Sequence, residues 1–207
     1  YPFAGDEHVT LIERVVIDLS GEAPRTIRLQ MPADQHRSTC SDDLVCDDGW
    51  EDVQWAAGGS TLAFVSTDRG HKSARLLVAD AASGQVRQVF EETVATQYQS
   101  APALSSVNWR YLPESGEFLW FSQKSDWGHL YLHDLASGEL KHQITDGDWN
   151  VARIAHLDPQ SRTLLFSGVG REPGRDPYFV HYYKASLDGG LVLLLTPEDA
   201  NHEAKFS

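Results

Sequence analysis

The amino-acid sequence predicts an all-β fold built from repeated antiparallel units, of the β-propeller type, and three observations predict it. A phrase recurs: ARLLVADAASGQVRQVF at 74–90 returns as HLYLHDLASGELKHQIT at 129–145. Each copy is a strand-like run, an Asp, a small-residue turn through Ser-Gly and a second strand-like run. The period within the runs is two, so Leu130 and Leu132 face one side of a pleated strand while Tyr131 and His133 face the other. The turns Ser83-Gly84 and Ser137-Gly138 suit tight hairpins, because glycine reaches positive φ without a side-chain clash.

Taken in order, a partial unit comes first, with VVID at 15–18, Leu19-Ser20-Gly21 and TIRL at 26–29. The second runs through TLAFVST to Asp80, and the third through EFLWFSQ to Asp134. Trp55 and Trp109 lie 54 residues apart, as do Asp80 and Asp134, which places each pair at equivalent positions on successive units. A looser fourth copy runs from Ile154 through LLFSG to YYKASLDGGLVLLLT, with Ser186 in place of the Asp. The unit is therefore roughly 45 to 55 residues long, in the range of propeller blades. Three to four strands per unit leave two apolar faces per sheet, which radial stacking on neighbours buries. The expected blade-like units are about 1–46, 47–100, 101–150 and 151–207, forming one partial propeller domain of roughly four blades. Complete propellers need typically 4 to 8 closed blades, so the chain reads as a piece of a larger ring.

Composition fits this and excludes some functions. The 207 residues are 41% hydrophobic and 23% charged, enough for a sizeable core. A net charge of −13 argues against nucleic acid, which needs clustered Lys and Arg. The sequence has no signal peptide and no apolar run of membrane-spanning length, so the segment is expected to be soluble and to make no membrane contact. Cys40 and Cys46, the only cysteines, could bridge in an oxidising compartment or stand as free thiols.

The candidate chemical motifs each fail on a physical requirement. His129 and His133 have helical zinc spacing, but on a strand four residues span about 13 Å and cannot share a metal. Asp146, Asp148 and Asn150 begin like a calcium loop, yet Val151 stands where glycine must turn the chain and Leu157 where a bidentate Glu belongs. GVGREPG at 168–174 has Pro173 where a phosphate loop needs its third glycine. No G-x-S-x-G occurs, so the nucleophile elbow of a hydrolase is absent. No catalytic residue, metal or cofactor is assigned.

Several stretches together carry a family resemblance. YPFAGDEHV, VVIDLSG, GWEDVQW, the run from FSQKSDWGHLYLHDL to ITDGDWNV, and LTPEDANH resemble the N-terminal propeller domain of dipeptidyl peptidase IV-like serine peptidases of the prolyl oligopeptidase family. In that family an eight-bladed propeller caps a C-terminal α/β-hydrolase domain that holds the whole catalytic triad. The resemblance implies a non-catalytic segment that gates and orients peptide substrates for a hydrolase domain lying outside this sequence. It also implies a periplasmic, secreted or cell-surface parent. In the family the acidic pair that binds the substrate amine precedes the YPFAG-like segment, so Glu91-Glu92 reads as a solvated pair at a blade edge. The loop YQSAPALSS at 98–106 lies where other members send an aromatic and an Arg towards substrate; it has one aromatic and no Arg, and no substrate-binding residue is carried over. The alternative reading is a piece of a free-standing TolB-like propeller that binds proteins. By itself the segment is expected to be inert towards Gly-Pro substrates and to self-associate through blade faces left uncovered.

Overall fold

Short apolar runs rich in β-branched and aromatic residues, interrupted by Gly and Ser, leave little choice but antiparallel hairpins. The structure, a computed structural model, describes residues 5–34, 53–99 and 107–206. Among these there is no α-helix, and no helix long and apolar enough to cross a membrane. Two compact units, one carrying residues 5–34 and 53–99 and the other 107–206, are taken separately.

The first unit holds a two-stranded sheet, β1 (Val15–Asp18) with β2 (Arg25–Arg28), and a four-stranded one. The latter runs in chain order through β3 (Val53–Trp55), β4 (Thr61–Thr67), β5 (Ser73–Asp80) and β6 (Val86–Thr93). Val16 of the small sheet and Leu29, one residue past β2, pack with Leu62, Phe64, Leu77 and Ala79 of the large one. Gly84 sits at φ 74°, and a Cβ there would meet the Arg28 carbonyl oxygen at 2.3 Å. That turn can therefore accept only glycine. Its carbonyl receives the Gln30 N–H at 2.7 Å, tying the two sheets together.

The second unit holds two four-stranded sheets. One orders β7 (Arg110–Leu112), β8 (Glu117–Ser122), β9 (His129–Asp134) and β10 (Leu140–Gln143) side by side. The other does the same with β11 (Asn150–Asp158), β12 (Thr163–Val169), β13 (His181–Ser186) and β14 (Leu193–Leu194). They stack face to face. Leu119, Phe121, Leu130 and Leu132 of the first meet Ile154, Leu164, Phe166, Tyr183 and Ala185 of the second in one buried cluster.

The ladders test the repeat register residue by residue. Thr61 pairs with Asp80, Glu117 with Asp134 and Thr163 with Ser186, so Asp80, Asp134 and Ser186 occupy one position in three sheets. Each Asp also builds its own turn: Asp80 Oδ1 accepts from the Ser83 N–H and hydroxyl, and Asp134 Oδ1 from those of Ser137. Asp18 does the same with Ser20 in the partial unit.

Trp55 and Trp109, by contrast, share the 54-residue spacing without sharing a position. Trp55 pairs with Leu62, one residue after Thr61, whereas Trp109 precedes the Arg110–Leu119 pair and so falls opposite Trp120, three residues after Glu117. Trp109 therefore matches Val53, which pairs with Phe64, and Ile154, which pairs with Phe166. The cause is a step of 56 residues from Thr61 to Glu117 that falls to 54 from Arg75 to His129. The longer hairpin has one extra rung, Thr67 with Ala74, ahead of a turn of equal length. A spacing taken from two tryptophans cannot see a rung added between strands.

Candidate functional site

Four strands per sheet and turns of small residues leave few places for long polar side chains except the joints between sheets, and there the buried polar groups collect. In the first unit Asp34 is buried beside the small sheet. Its Oδ2 lies 2.8 Å from Arg14, its Oδ1 accepts from the Ser66 hydroxyl at 2.8 Å, and Arg75 stands 3.7 Å away. A carboxylate out of water survives only when paired and hydrogen-bonded, and this one is. A cleft of ≈ 430 Å³ opens beside it, lined by Met31, Asp34, Arg75, Leu77, Val86 and Gln88 among others. Thr67 and Asp68 also line it, and Asp68 is occupied there, accepting the Gly70, Lys72 and Ser73 N–H groups.

In the second unit, Glu117 is 2% exposed and bridges both sheets. Arg162 donates to it at 2.7 and 3.3 Å and grips Asp188 through Nε at 2.9 and 3.0 Å, while Lys141 pairs with Glu117 from β10. Burial works to raise the Glu117 pKa. The bonds from Arg162, Lys141 and Ser115 and the charge of Arg162 outweigh it and hold the carboxyl at about 2.

A second joint surrounds His129. The Gly147 carbonyl lies 2.8 Å from Nε2 and can only accept, so Nε2 carries the proton and Nδ1 receives the Thr145 hydroxyl at 3.0 Å. Thr145 Oγ1 in turn accepts the Leu130 N–H at 3.1 Å, and Asn150 Oδ1 accepts the Gly128 N–H at 2.7 Å. Burial pushes the His129 pKa down, against the pull of the Gly147 bond and the Asp146 charge. Asn108, fully buried, accepts the Ile154 N–H at 2.9 Å and donates to the Ala152 carbonyl at 3.1 Å.

The candidates taken from the sequence separate accordingly. His133 is occupied elsewhere, facing the Gly138 carbonyl at 3.0 Å and stacked on Phe118 at 4.9 Å, and burial lowers its pKa too. Asn150 spends its oxygen on Gly128, and the Asp146 carbonyl accepts from the Trp149 indole, so this stretch is a structural turn. Among the described residues no group of three or more His, Cys, Asp or Glu converges as metal ligands. Glu91 and Glu92 are consecutive on β6 and therefore point to opposite faces; Glu91 accepts from Ser73 at 2.6 Å and from Gln88 at 3.2 Å. Tyr98, the aromatic of the 98–106 loop, is buried, 3% exposed. Cys40, Cys46 and residues 100–106 lie outside the described residues. Thr145, Asn150 and Asn108 carry no signature in the sequence, because a Thr or Asn that joins two strands is identical in sequence to one in a surface turn. For Thr145 and Asn150 the signal is positional, in the repeat.

Fold and site together define a class first: a β-propeller segment in which buried Glu117, His129 and Asn108 tie one sheet to the next. The chain belongs to the family described as the dipeptidyl peptidase IV (DPP IV) N-terminal region, which it matches over residues 1–207. It is 28% identical over 148 residues to dipeptidyl aminopeptidase BIII of Pseudoxanthomonas mexicana, an alignment covering 72% of this chain and 20% of that protein. The chain thus spans about a fifth of the length of this curated relative. Among solved structures, dipeptidyl peptidase 4 of Porphyromonas gingivalis superposes with a TM-score of 0.61 at 18% identity, covering 84% of this chain and 22% of that one. A Bacteroides ovatus protein assigned as a dipeptidyl aminopeptidase IV gives a TM-score of 0.54 at 17% identity, covering 88% of this chain and 29% of that one. Both share its fold.

Proposed function

We propose that the chain is the non-catalytic propeller segment of a dipeptidyl peptidase IV-like serine exopeptidase, gating and orienting peptides for an α/β-hydrolase domain of the same polypeptide. The observation that carries this is the family match to an N-terminal region along all of residues 1–207. The geometry is compatible with it: the buried Glu117, His129 and Asn108 are all saturated by partners in the joints, which suits a scaffold and leaves the chemistry to another domain. A ring over a hydrolase site admits short or unfolded peptides and excludes folded proteins. The parent is then periplasmic, secreted or on the cell surface, where peptide substrates are met.

The test uses the parent polypeptide. Its kcat/KM for a Gly-Pro chromogenic amide, for a longer unfolded peptide and for a folded protein with the same N-terminus should fall in that order. Trp109→Ala, which removes a fully buried side chain, should loosen the blade and raise cleavage of the folded protein relative to the small amide. Turnover by residues 1–207 alone, or size discrimination unchanged in a variant whose loosening is confirmed by hydrogen exchange, would overturn the reading.

A further inference from the structure

The joint around His129 occurs twice. In its first use the chain leaves β10, and Ile144 N–H donates to Leu130 O at 2.8 Å, Leu130 N–H to Thr145 Oγ1 at 3.1 Å, Gly128 N–H to Asn150 Oδ1 at 2.7 Å, and Val151 N–H to Gly128 O at 2.8 Å. In its second use the chain leaves β14 and every bond has a counterpart. Leu195 N–H donates to Tyr182 O at 2.8 Å, Tyr182 N–H to Thr196 Oγ1 at 2.9 Å, Val180 N–H to Asn201 Oδ1 at 2.9 Å, and His202 N–H to Val180 O at 3.1 Å. The residues after the strand shift by 51 in every case: 144, 145, 150 and 151 become 195, 196, 201 and 202. His129 of β9 becomes His181 of β13, whose Nδ1 lies 3.0 Å from the Thr196 carbonyl.

The first clasp has an evident result. Asn150 and Val151 open β11, the inner strand of the sheet that covers Leu119, Phe121, Leu130 and Leu132. Ladder register maps those four positions onto Leu165, Ser167, Tyr182 and Lys184 of the next sheet. On that mapped face Ser167 is buried, Leu165 and Tyr182 are half-buried and Lys184 is exposed. Leu193 and Leu195 of the outer edge extend the face and are 47% and 44% exposed, whereas Val192 and Leu194, pointing the other way, pack on the core. The chain beyond the second clasp already runs onto this face: Ala204 N–H donates to the Tyr182 hydroxyl at 3.1 Å, and the Phe206 ring lies 5.7 Å from Tyr182.

We infer that Thr196 and Asn201 are positioning residues of a blade-to-blade clasp, and that Asn201 opens the inner strand of a further antiparallel sheet of the same polypeptide, seated on the face of Tyr182, Leu193 and Leu195. This rests on the reading of the chain as part of a longer propeller. The occupant is intramolecular because the clasp directs the chain itself over the face, as its twin does for β11. The two clasps differ in how the histidine is held. His129 Nδ1 accepts from the Thr145 hydroxyl and Nε2 donates to the Gly147 carbonyl, whereas His181 Nδ1 donates to the Thr196 carbonyl and its Nε2, left as an acceptor, is buried without a partner among the described residues. The second clasp is therefore the weaker of the two.

The test is thiol labelling of the parent polypeptide carrying Leu193→Cys, read site by site by mass spectrometry beside Tyr178→Cys, a position 87% exposed. Leu193→Cys should label at least about tenfold more slowly, at every protein concentration, as expected for a site reached only through local opening. Adding Asn201→Ala should speed its labelling and expose the Val180 amide to hydrogen exchange, with the Gly128 amide unchanged. Labelling as fast as at Tyr178→Cys would overturn the inference, as would protection that vanishes on dilution, which would assign the face to a second copy. A parent that cleaves Gly-Pro amides while Leu193→Cys labels fast would sink this inference alone. A protected site in an inert parent would instead sink only the proposed activity.

Discussion

Replacing Glu117 by Gln keeps the shape of the side chain and removes its charge, so it isolates what the inter-sheet ion network contributes. The folded protein holds this carboxyl at about 2 against an ordinary 4.5. A gap of about 2.5 units at about 1.36 kcal/mol each sets a ceiling of roughly 3.4 kcal/mol. The real figure is smaller, because Lys141 and Arg162 are 43% and 26% exposed and solvent screens them. Glu117→Gln should therefore cost about 2 kcal/mol at neutral pH, partly by leaving the Arg162 guanidinium facing an amide. A group whose pKa is depressed on folding contributes stability above its unfolded pKa and loses it as pH falls through the folded one. The difference between parent and variant should thus be full above about pH 5 and shrink between about pH 4.5 and pH 2. Urea unfolding across that range, followed by tryptophan fluorescence, reads it directly. A difference below about 0.5 kcal/mol at pH 7, or one that stays constant down to the lowest pH, would show that the network holds the sheets by packing alone.

Three further outcomes are expected. Gly84→Ala should destabilise by about 3 kcal/mol, since the methyl meets the Arg28 carbonyl at 2.3 Å and φ is 74°; a loss under about 1 kcal/mol would mean the two sheets of the first unit slide apart freely. Thr145→Val removes the hydroxyl shared by His129 and Leu130 and should cost about 2 kcal/mol by chemical denaturation, with faster exchange at the Leu130 amide as the specific sign. Burial lowers the pKa values of His129 and His133 below 6.5, so stability should decline as pH falls from that value, and His133→Phe should flatten the slope. An unchanged slope in that variant would count against a buried neutral imidazole at 133.

What could be read from the sequence was whatever repeats locally. The Asp80 and Asp134 turns were legible because each carboxylate closes its own hairpin within three residues, so sequence order and spatial order coincide. The equivalence of Trp55 with Trp109 failed because it crosses a strand pair whose length is set by a distant rung, Thr67 with Ala74. Glu117 and Arg162 are 45 residues apart and meet only when sheets stack, so nothing in either neighbourhood announces the bridge. The same holds for Thr145 and Asn150. Their role is visible only after a second set, Thr196 and Asn201, is found making the same bonds.

The extra rung in the β4–β5 hairpin bears on how such a repeat can change length. Side chains alternate sides along a strand, so inserting a single residue into one strand would turn its buried set outward. Adding one residue to each partner lengthens the ladder and leaves every other side chain on its own side. The β4–β5 and β8–β9 hairpins differ by that balanced pair, and the β12–β13 connection lengthens instead by a loop, with twelve residues between Gly168 and His181 where six lie between Ser122 and His129. At the opposite end of the same strands, the Asp turns of the second and third units keep one length, with Asp80 N–H bonded to Gln85 O and Asp134 N–H to Glu139 O. Between these two units one rim of the sheets has diverged by insertion, while the other keeps its span around an Asp that closes the turn. Evolutionary novelty in this repeat has a permitted side.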